Sequence, residues 1–144
     1  MKKVKKNKSQ SLNKNVSQRK KILLVEDDLA IIDIYETIMK RAGFDVEVVN
    51  LGEEAINIIK YIGSGEHAKP NIILLDLILP DINGVEVLES IRKNKATKDI
   101  MVFILTNQEK TQLPEFSDFK PDKIIIKADT SPSLLLEIIK EQLT

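Results

Sequence analysis

The chain is 144 residues long, 31% charged and 4% aromatic, with no cysteine. That length suits one domain with a substantial core, and the lack of thiols excludes a disulfide framework or a thiolate zinc site. A formal net charge of zero hides a division: residues 1–21 carry nine Lys or Arg and no acid, whereas residues 22–144 carry 13 basic and 22 acidic residues, a formal charge of −9.

Residues 1–20 contain only Val4, Leu12 and Val16 as isolated aliphatics among Lys, Asn, Ser and Gln, too little apolar surface to fold alone, so they read as a disordered basic tail. The tail has no apolar core of a secretory signal, and no run elsewhere has bilayer-spanning length. A cytoplasmic protein is the expectation. Contact with nucleic acid or an acidic lipid surface is one use for such a tail, but no aromatic residue interleaves with its lysines, and a solubilising extension is the simpler reading.

From residue 21 to residue 144 the chain alternates strand and helix signals, five of each, which predicts a doubly wound α/β sheet. Residues 22–25 form a short β-branched run. Leu29, Ile31, Ile32, Ile34, Tyr35, Ile38 and Met39 then give a helical stripe ending at Gly43. Residues 44–49 are the second strand, and Asn50 with Glu53 reads as the capping pair of a helix through Ala55, Ile56, Ile58 and Ile59. Residues 72–75 are the third strand, followed by a helix at 84–93 with Val85, Val87, Leu88 and Ile91 inward. The fourth strand is 101–105. Between 107 and 122 the pattern is polar and broken by Pro114, with Phe116 and Phe119 as anchors, so the fourth helix is expected to be short or irregular. Residues 124–126 are the fifth strand, and Ser131-Pro132 caps a last helix carrying Leu134, Leu135, Ile138, Ile139 and Leu143.

Five residues follow the ends of four of these strands: Glu26 and Asp27, Asp76, Thr106 and Lys127. Open parallel sheets bind ligands beyond the carboxyl ends of their strands, so these side chains converge on one crevice. Three carboxylates crowded there repel one another, and a divalent cation relieves that cost, which points to a magnesium site enclosing a nucleophile. Each residue also has an ordinary role: Glu26, Asp27 and Asp28 suit helix capping, Thr106 suits a strand, and Lys127 suits a solvated end. Asp76, closing a wholly apolar strand with no basic neighbour, is the hardest to dismiss. His67 lies in a polar loop and is given no role, while Tyr35 and Tyr61 sit at helical positions as packing residues.

KILLVEDD at 21–28, NIILLDLILPDINGVEVLESIR at 71–92, ILT ending at Thr106 and IIIK ending at Lys127 together resemble the receiver domain of two-component response regulators, over residues 21–144. The resemblance implies a flavodoxin-like five-stranded parallel sheet of order 2-1-3-4-5. It implies Asp76 as phosphoacceptor, Glu26 and Asp27 as magnesium-binding acids, a backbone carbonyl of Ile78 on the metal, Thr106 as donor to a phosphoryl oxygen and Lys127 as its cationic partner. The protein would then be no enzyme beyond its own phosphorylation and dephosphorylation. Its partners would be a sensor histidine kinase or histidine phosphotransfer protein and a downstream protein target, with pairing of two copies through the fourth helix, fifth strand and fifth helix; neither membrane nor nucleic acid is implied. With no segment after Thr144 to act as an output domain, a stand-alone receiver is expected.

Three positions depart from the family pattern. Ala128 replaces the usual Pro after Lys127, and a cis bond before a residue other than Pro costs about 2.5–4 kcal/mol, which leaves open whether this bond is cis as in the family or trans with Lys127 shifted. Ile124 stands where an aromatic is common, and Asn107 stands where Ala or Gly is common. These departures keep a second reading open, a receiver-like interaction module that works without phosphorylation. A haloacid-dehalogenase-type phosphatase is disfavoured because Ile78 occupies the place of its second Asp.

Overall fold

The computed structural model describes residues 19–116 and 118–144. The expected basic tail falls almost wholly outside the described residues; only its last two members, Arg19 and Lys20, are included, and both are exposed. In chain order the elements are β1 (Lys21–Val25), α1 (Leu29–Arg41), β2 (Asp45–Val49), α2 (Gly52–Gly63), β3 (Ile72–Asp76), α3 (Gly84–Lys93), β4 (Met101–Thr106), β5 (Lys123–Ile126) and α4 (Pro132–Leu143). All five strands are parallel, in the order β2-β1-β3-β4-β5.

The alternation of side chains along buried strands divides the core in two. Leu23, Val25, Ile73, Leu75, Val102 and Ile104 face α2 and α3, where Ala55, Ile59, Ile62, Val87, Leu88 and Ile91 meet them. Ile22, Leu24, Ile72, Leu74, Phe103 and Leu105 face α1 and α4, against Tyr35, Met39, Leu135 and Ile139. Burying a Leu or Ile side chain stabilises by roughly 1.5–3 kcal/mol, so the central strands β1, β3 and β4, buried on both faces, hold the fold and fix their carboxyl ends rigidly.

Where a short or irregular fourth helix is expected, the described residues of the crossover from β4 to β5 form a 3-10 turn at Lys110–Gln112, so four α-helices form among the described residues where the sequence predicts five. Pro114 and the polar composition deny that segment a continuous hydrogen-bonded apolar stripe. Arg92, near the end of α3, ties it down instead: its guanidinium donates to the carbonyls of Lys98, Ile100 and Lys120 and to the Asp122 carboxylate. Phe116 still packs on the α2/α3 core, and Phe119 lies beside Lys93, whose Nζ is 5.5 Å from the ring centroid.

Two helix ends are as expected. Gly43, at φ +95°, closes α1 with its N–H on Lys40 and the Phe44 N–H on Met39, and Ser131 Oγ accepts from the Leu134 N–H at α4. The start of α2 differs. Leu51 is the cap residue and offers no side-chain bond, so the Asn50/Glu53 pair does not form. The cap comes from Asp81, whose carboxylate oxygens accept the Gly52 and Glu53 N–H groups at 2.8 and 2.9 Å. Tyr61 is half exposed, so its packing role is only partial, whereas Tyr35 is buried in the core.

Candidate functional site

Parallel pairing brings the ends of β1, β3, β4 and β5 to one edge of the sheet: Val25 pairs Leu75, Asp76 pairs Leu105, and Thr106 pairs Ile126. Glu26, Asp27, Asp76, Thr106 and Lys127 therefore occupy one rim, as their positions after apolar runs imply. Glu26, Asp27 and Asp76 each offer a carboxylate oxygen within 4.8 Å of the others. Glu26 is 1% exposed and Asp76 8%, while Asp27 faces solvent. An open cleft beside them is lined by Asp27, Asp28, Ile31, Asp76, Ile78, Asn107 and Lys127.

Lys127 binds this cluster together. Its Nζ donates to Glu26 Oε1 at 2.5 Å and to Asp76 Oδ2 at 3.1 Å, with 9% of the side chain exposed. No cis peptide occurs among the described residues, so the Lys127-Ala128 bond, left open by the sequence, is trans. A 3-10 turn at Lys127–Asp129 starts directly after β5, and the long side chain still reaches both acids.

Burial is the main cause that pushes the Glu26 carboxyl up to about 7; the neighbouring Asp76 adds to it, and the Lys127 ammonium opposes it. Burial acts on Lys127 in the sense of releasing its proton, but Glu26 and Asp76 outweigh it and hold the ammonium above its ordinary value. The other two carboxylate oxygens accept backbone donors, Asp27 N–H on Glu26 Oε2 at 3.2 Å and Ile78 N–H on Asp76 Oδ1 at 3.1 Å. Hard oxygen donors from three acids, one of them solvent-facing, fit a divalent cation of the magnesium class.

Asp28 separates from its neighbours. Its carboxylate accepts the Ala30 and Ile31 N–H groups at 3.0 and 3.3 Å, so it caps α1 and leaves Glu26 and Asp27 free of that duty. Thr106 is fully buried, and its Oγ1 accepts the Gln108 N–H at 3.1 Å, which leaves the hydroxyl proton as its available donor. Ile78 is 62% exposed at the mouth of the cleft, Asn107 lines it, and Ile124 is partly exposed on β5. Two contributors escape a reading of the sequence, Asp81 and Arg92, because each bonds backbone 28 residues away.

Residues 22–140 match the family described as the response regulator receiver domain. The chain is 34% identical over 97 residues to the cell cycle transcriptional regulator CtrA of Caulobacter vibrioides, covering 67% of this chain and 39% of CtrA. It thus spans well under half of that curated relative. Among solved structures, the CheY-like receiver domain protein of Methanospirillum hungatei is similar at 32% identity and a TM-score of 0.74, over 88% of this chain and 94% of that one. The phosphorylated cyanobacterial phytochrome response regulator RcpA is similar at 31% identity and a TM-score of 0.71, over 85% and 90%.

Proposed function

Because the chain belongs to the response regulator receiver domain family, we propose that it accepts a phosphoryl group on Asp76 from a phosphohistidine of a kinase or phosphotransfer protein, and signals by protein contact in the cytoplasm. The observation that carries this reading is the Lys127 ammonium shared between Glu26 and Asp76 within an otherwise acidic rim. A cation placed between two acids, in hydrogen-bond reach of the accepting Asp76, is what a site needs if that carboxylate is to meet a phosphoryl anion. The phosphorylated form of the similar RcpA supports phosphorylation as the chemistry.

In the proposed step, an Asp76 carboxylate oxygen bonds to phosphorus while the phosphorus–nitrogen bond of the donor breaks. The electron pair leaves with the imidazole nitrogen, which takes up a proton, and an acyl phosphate remains on Asp76. The Ile78 N–H on Asp76 Oδ1 and the Lys127 Nζ on Oδ2 hold the carboxylate in a fixed orientation. Lys127 offsets charge on the incoming phosphoryl oxygens, and the free proton of Thr106 donates to one of them. A magnesium ion held by Glu26, Asp27, Asp76 and the Ile78 carbonyl supplies, when bound, the remaining neutralisation of those oxygens.

The test is the intact mass of the protein after incubation with a small phosphodonor and magnesium, for wild type and Asp76→Asn. One added phosphoryl group on wild type alone is expected. Absence of any addition on folded wild type would overturn the assignment in favour of a phosphorylation-independent interaction module, with Asn107, Ile124 and Ala128 as the first positions to revert.

A further inference from the structure

The segment between β3 and α3, residues 77–83, carries Ile78 at the cleft and is fixed at two places. At its base, Gly84 N–H donates to the Leu77 carbonyl at 2.8 Å, and Ile78 and Asn83 form an antiparallel bridge. Gly84 has no room for a side chain, because a Cβ there would meet the Asp76 carbonyl oxygen and lie 2.7 Å from Leu77 Cα. The base is closed by backbone, but the bridge that includes Ile78 is a single isolated one and does not by itself fix the rest of the loop.

The tip is held differently. Asp81 reaches across to the first turn of α2 and accepts the Gly52 and Glu53 N–H groups, one on each carboxylate oxygen. Leu79 and Ile82 straddle the same glycine: a Cβ on Gly52 would lie 2.9 Å from Ile82 Cδ1 and 3.3 Å from Leu79 Cδ1. These amides are orphan donors of a helix start with no cap of its own, so the loop and α2 complete one another. The backbone hydrogen bonds hold the Asp81 carboxyl below the ordinary carboxylate range, Glu53 foremost, although the group is solvent-facing. Leu79 and Ile82 pack the tip, and its one side-chain hydrogen-bond anchor on α2 is Asp81, three residues from Ile78 and five from Asp76.

Resting on the function proposed above, we propose that Asp81 is a positioning residue for the Asp76 chemistry: by anchoring the loop tip to the amino terminus of α2, it holds the Ile78 backbone against the Asp76 carboxylate and the metal-binding acids. Groups that orient the immediate ligands of a metal typically change affinity or activity by about 10- to 100-fold when removed. Asp81, outside the cleft, acts in this way through the loop.

The experiment compares wild type, Asp81→Ala, Asp81→Asn and Thr97→Val. Thr97 bonds the Ile91 carbonyl beyond the end of α3, before β4 begins, and serves as a control for general loss of stability. Three readouts are taken: amide exchange of Ile78 and Gly84 in metal-free protein, magnesium affinity by titration, and the rate of phosphoryl uptake at saturating small donor. Expected for Asp81→Ala are exchange at Ile78 faster by about tenfold, magnesium binding weaker by about tenfold, and a comparable drop in uptake rate. Asp81→Asn, which keeps one acceptor oxygen, should recover part of each, and Thr97→Val should move none beyond its effect on global unfolding. Wild-type exchange, magnesium affinity and uptake in Asp81→Ala would overturn the proposal and leave the function standing. If wild type itself takes up no phosphoryl group, the function fails, and magnesium affinity with Ile78 exchange still decides for or against Asp81.

Discussion

Lys127 Nζ lies 2.5 Å from Glu26 Oε1, closer than the 3.1 Å to Asp76 Oδ2, so the cation is anchored on one acid and shared with the other. Glu26 is almost inaccessible, and removing one partner of a buried pair costs on the order of 3–5 kcal/mol because the other charge is left unpaired. Lys127→Met in metal-free protein should therefore lower the unfolding free energy by about 3 kcal/mol near pH 8. Glu26 has its carboxyl raised from 4.5 to about 7, so its contribution to stability is fully present below 4.5 and is lost as pH rises through 7. The deficit of the variant should accordingly shrink toward about pH 5.5, where Glu26 takes up a proton. Urea midpoints of both proteins in chelator at the two pH values test this, and an equal deficit at both would contradict it.

The carboxylate cluster predicts a stability trade. In magnesium-free buffer, Asp27→Asn should raise the urea midpoint slightly, because it neutralises one of three acids whose oxygens lie within 4.8 Å. Magnesium at about ten times its dissociation constant should stabilise wild type by about 1.4 kcal/mol and the variant hardly at all. A variant stabilised by magnesium as strongly as wild type would remove Asp27 from the metal site.

Arg92 ties down the irregular crossover from β4 to β5. Its side chain is 13% exposed, and it donates to three carbonyls and to Asp122, whose Oδ2 also accepts the Val102 N–H at 2.8 Å. Arg92→Ala should cost about 3 kcal/mol, since several of these acceptors lose a charged donor, and Arg92→Lys should recover little because one ammonium cannot span the set. Chemical denaturation measures the loss, and a change under about 0.5 kcal/mol would show the crossover to be held by Phe116 and Phe119 instead.

The strands and the rim of the site were legible because both rest on local pattern. A run such as Ile72 to Leu75, apolar at every position, declares a strand buried on both faces, and the next residue, Asp76, falls where the fold places ligands. What could not be read is long-range hydrogen bonding. Asn50 and Glu53 looked like a cap because they stand three apart, yet the α2 amides are satisfied by Asp81, 28 and 29 residues on. Asp28 shows the opposite case: its capping is local, but three consecutive acids gave no means of telling which one caps. The weakness of the fourth helix was legible in Pro114 and the polar run, where a 3-10 turn stands for the short or irregular helix expected; Arg92, which ties the irregular crossover down, was not legible because its acceptors are distant in sequence.

In the proposed phosphorylated state, the lifetime of the Asp76 acyl phosphate is set by how water reaches it. Ile78 is 62% exposed at the cleft mouth and its side chain has no group able to accept or donate a hydrogen bond to an attacking water, so hydrolysis should be slow. Its backbone N–H already holds Asp76 Oδ1, and that bond survives any change of side chain except to proline. Ile78→Asn places an amide where it can orient water without disturbing the carboxylate. The acyl phosphate should then decay about tenfold faster, near 1.4 kcal/mol in barrier, with phosphoryl uptake unchanged. Intact mass followed over time after removal of donor, with magnesium present, gives both rates. A wild-type half-life of seconds, or identical decay in the two proteins, would mean that water is positioned by another group lining the cleft, and Asn107 would be the next residue to replace.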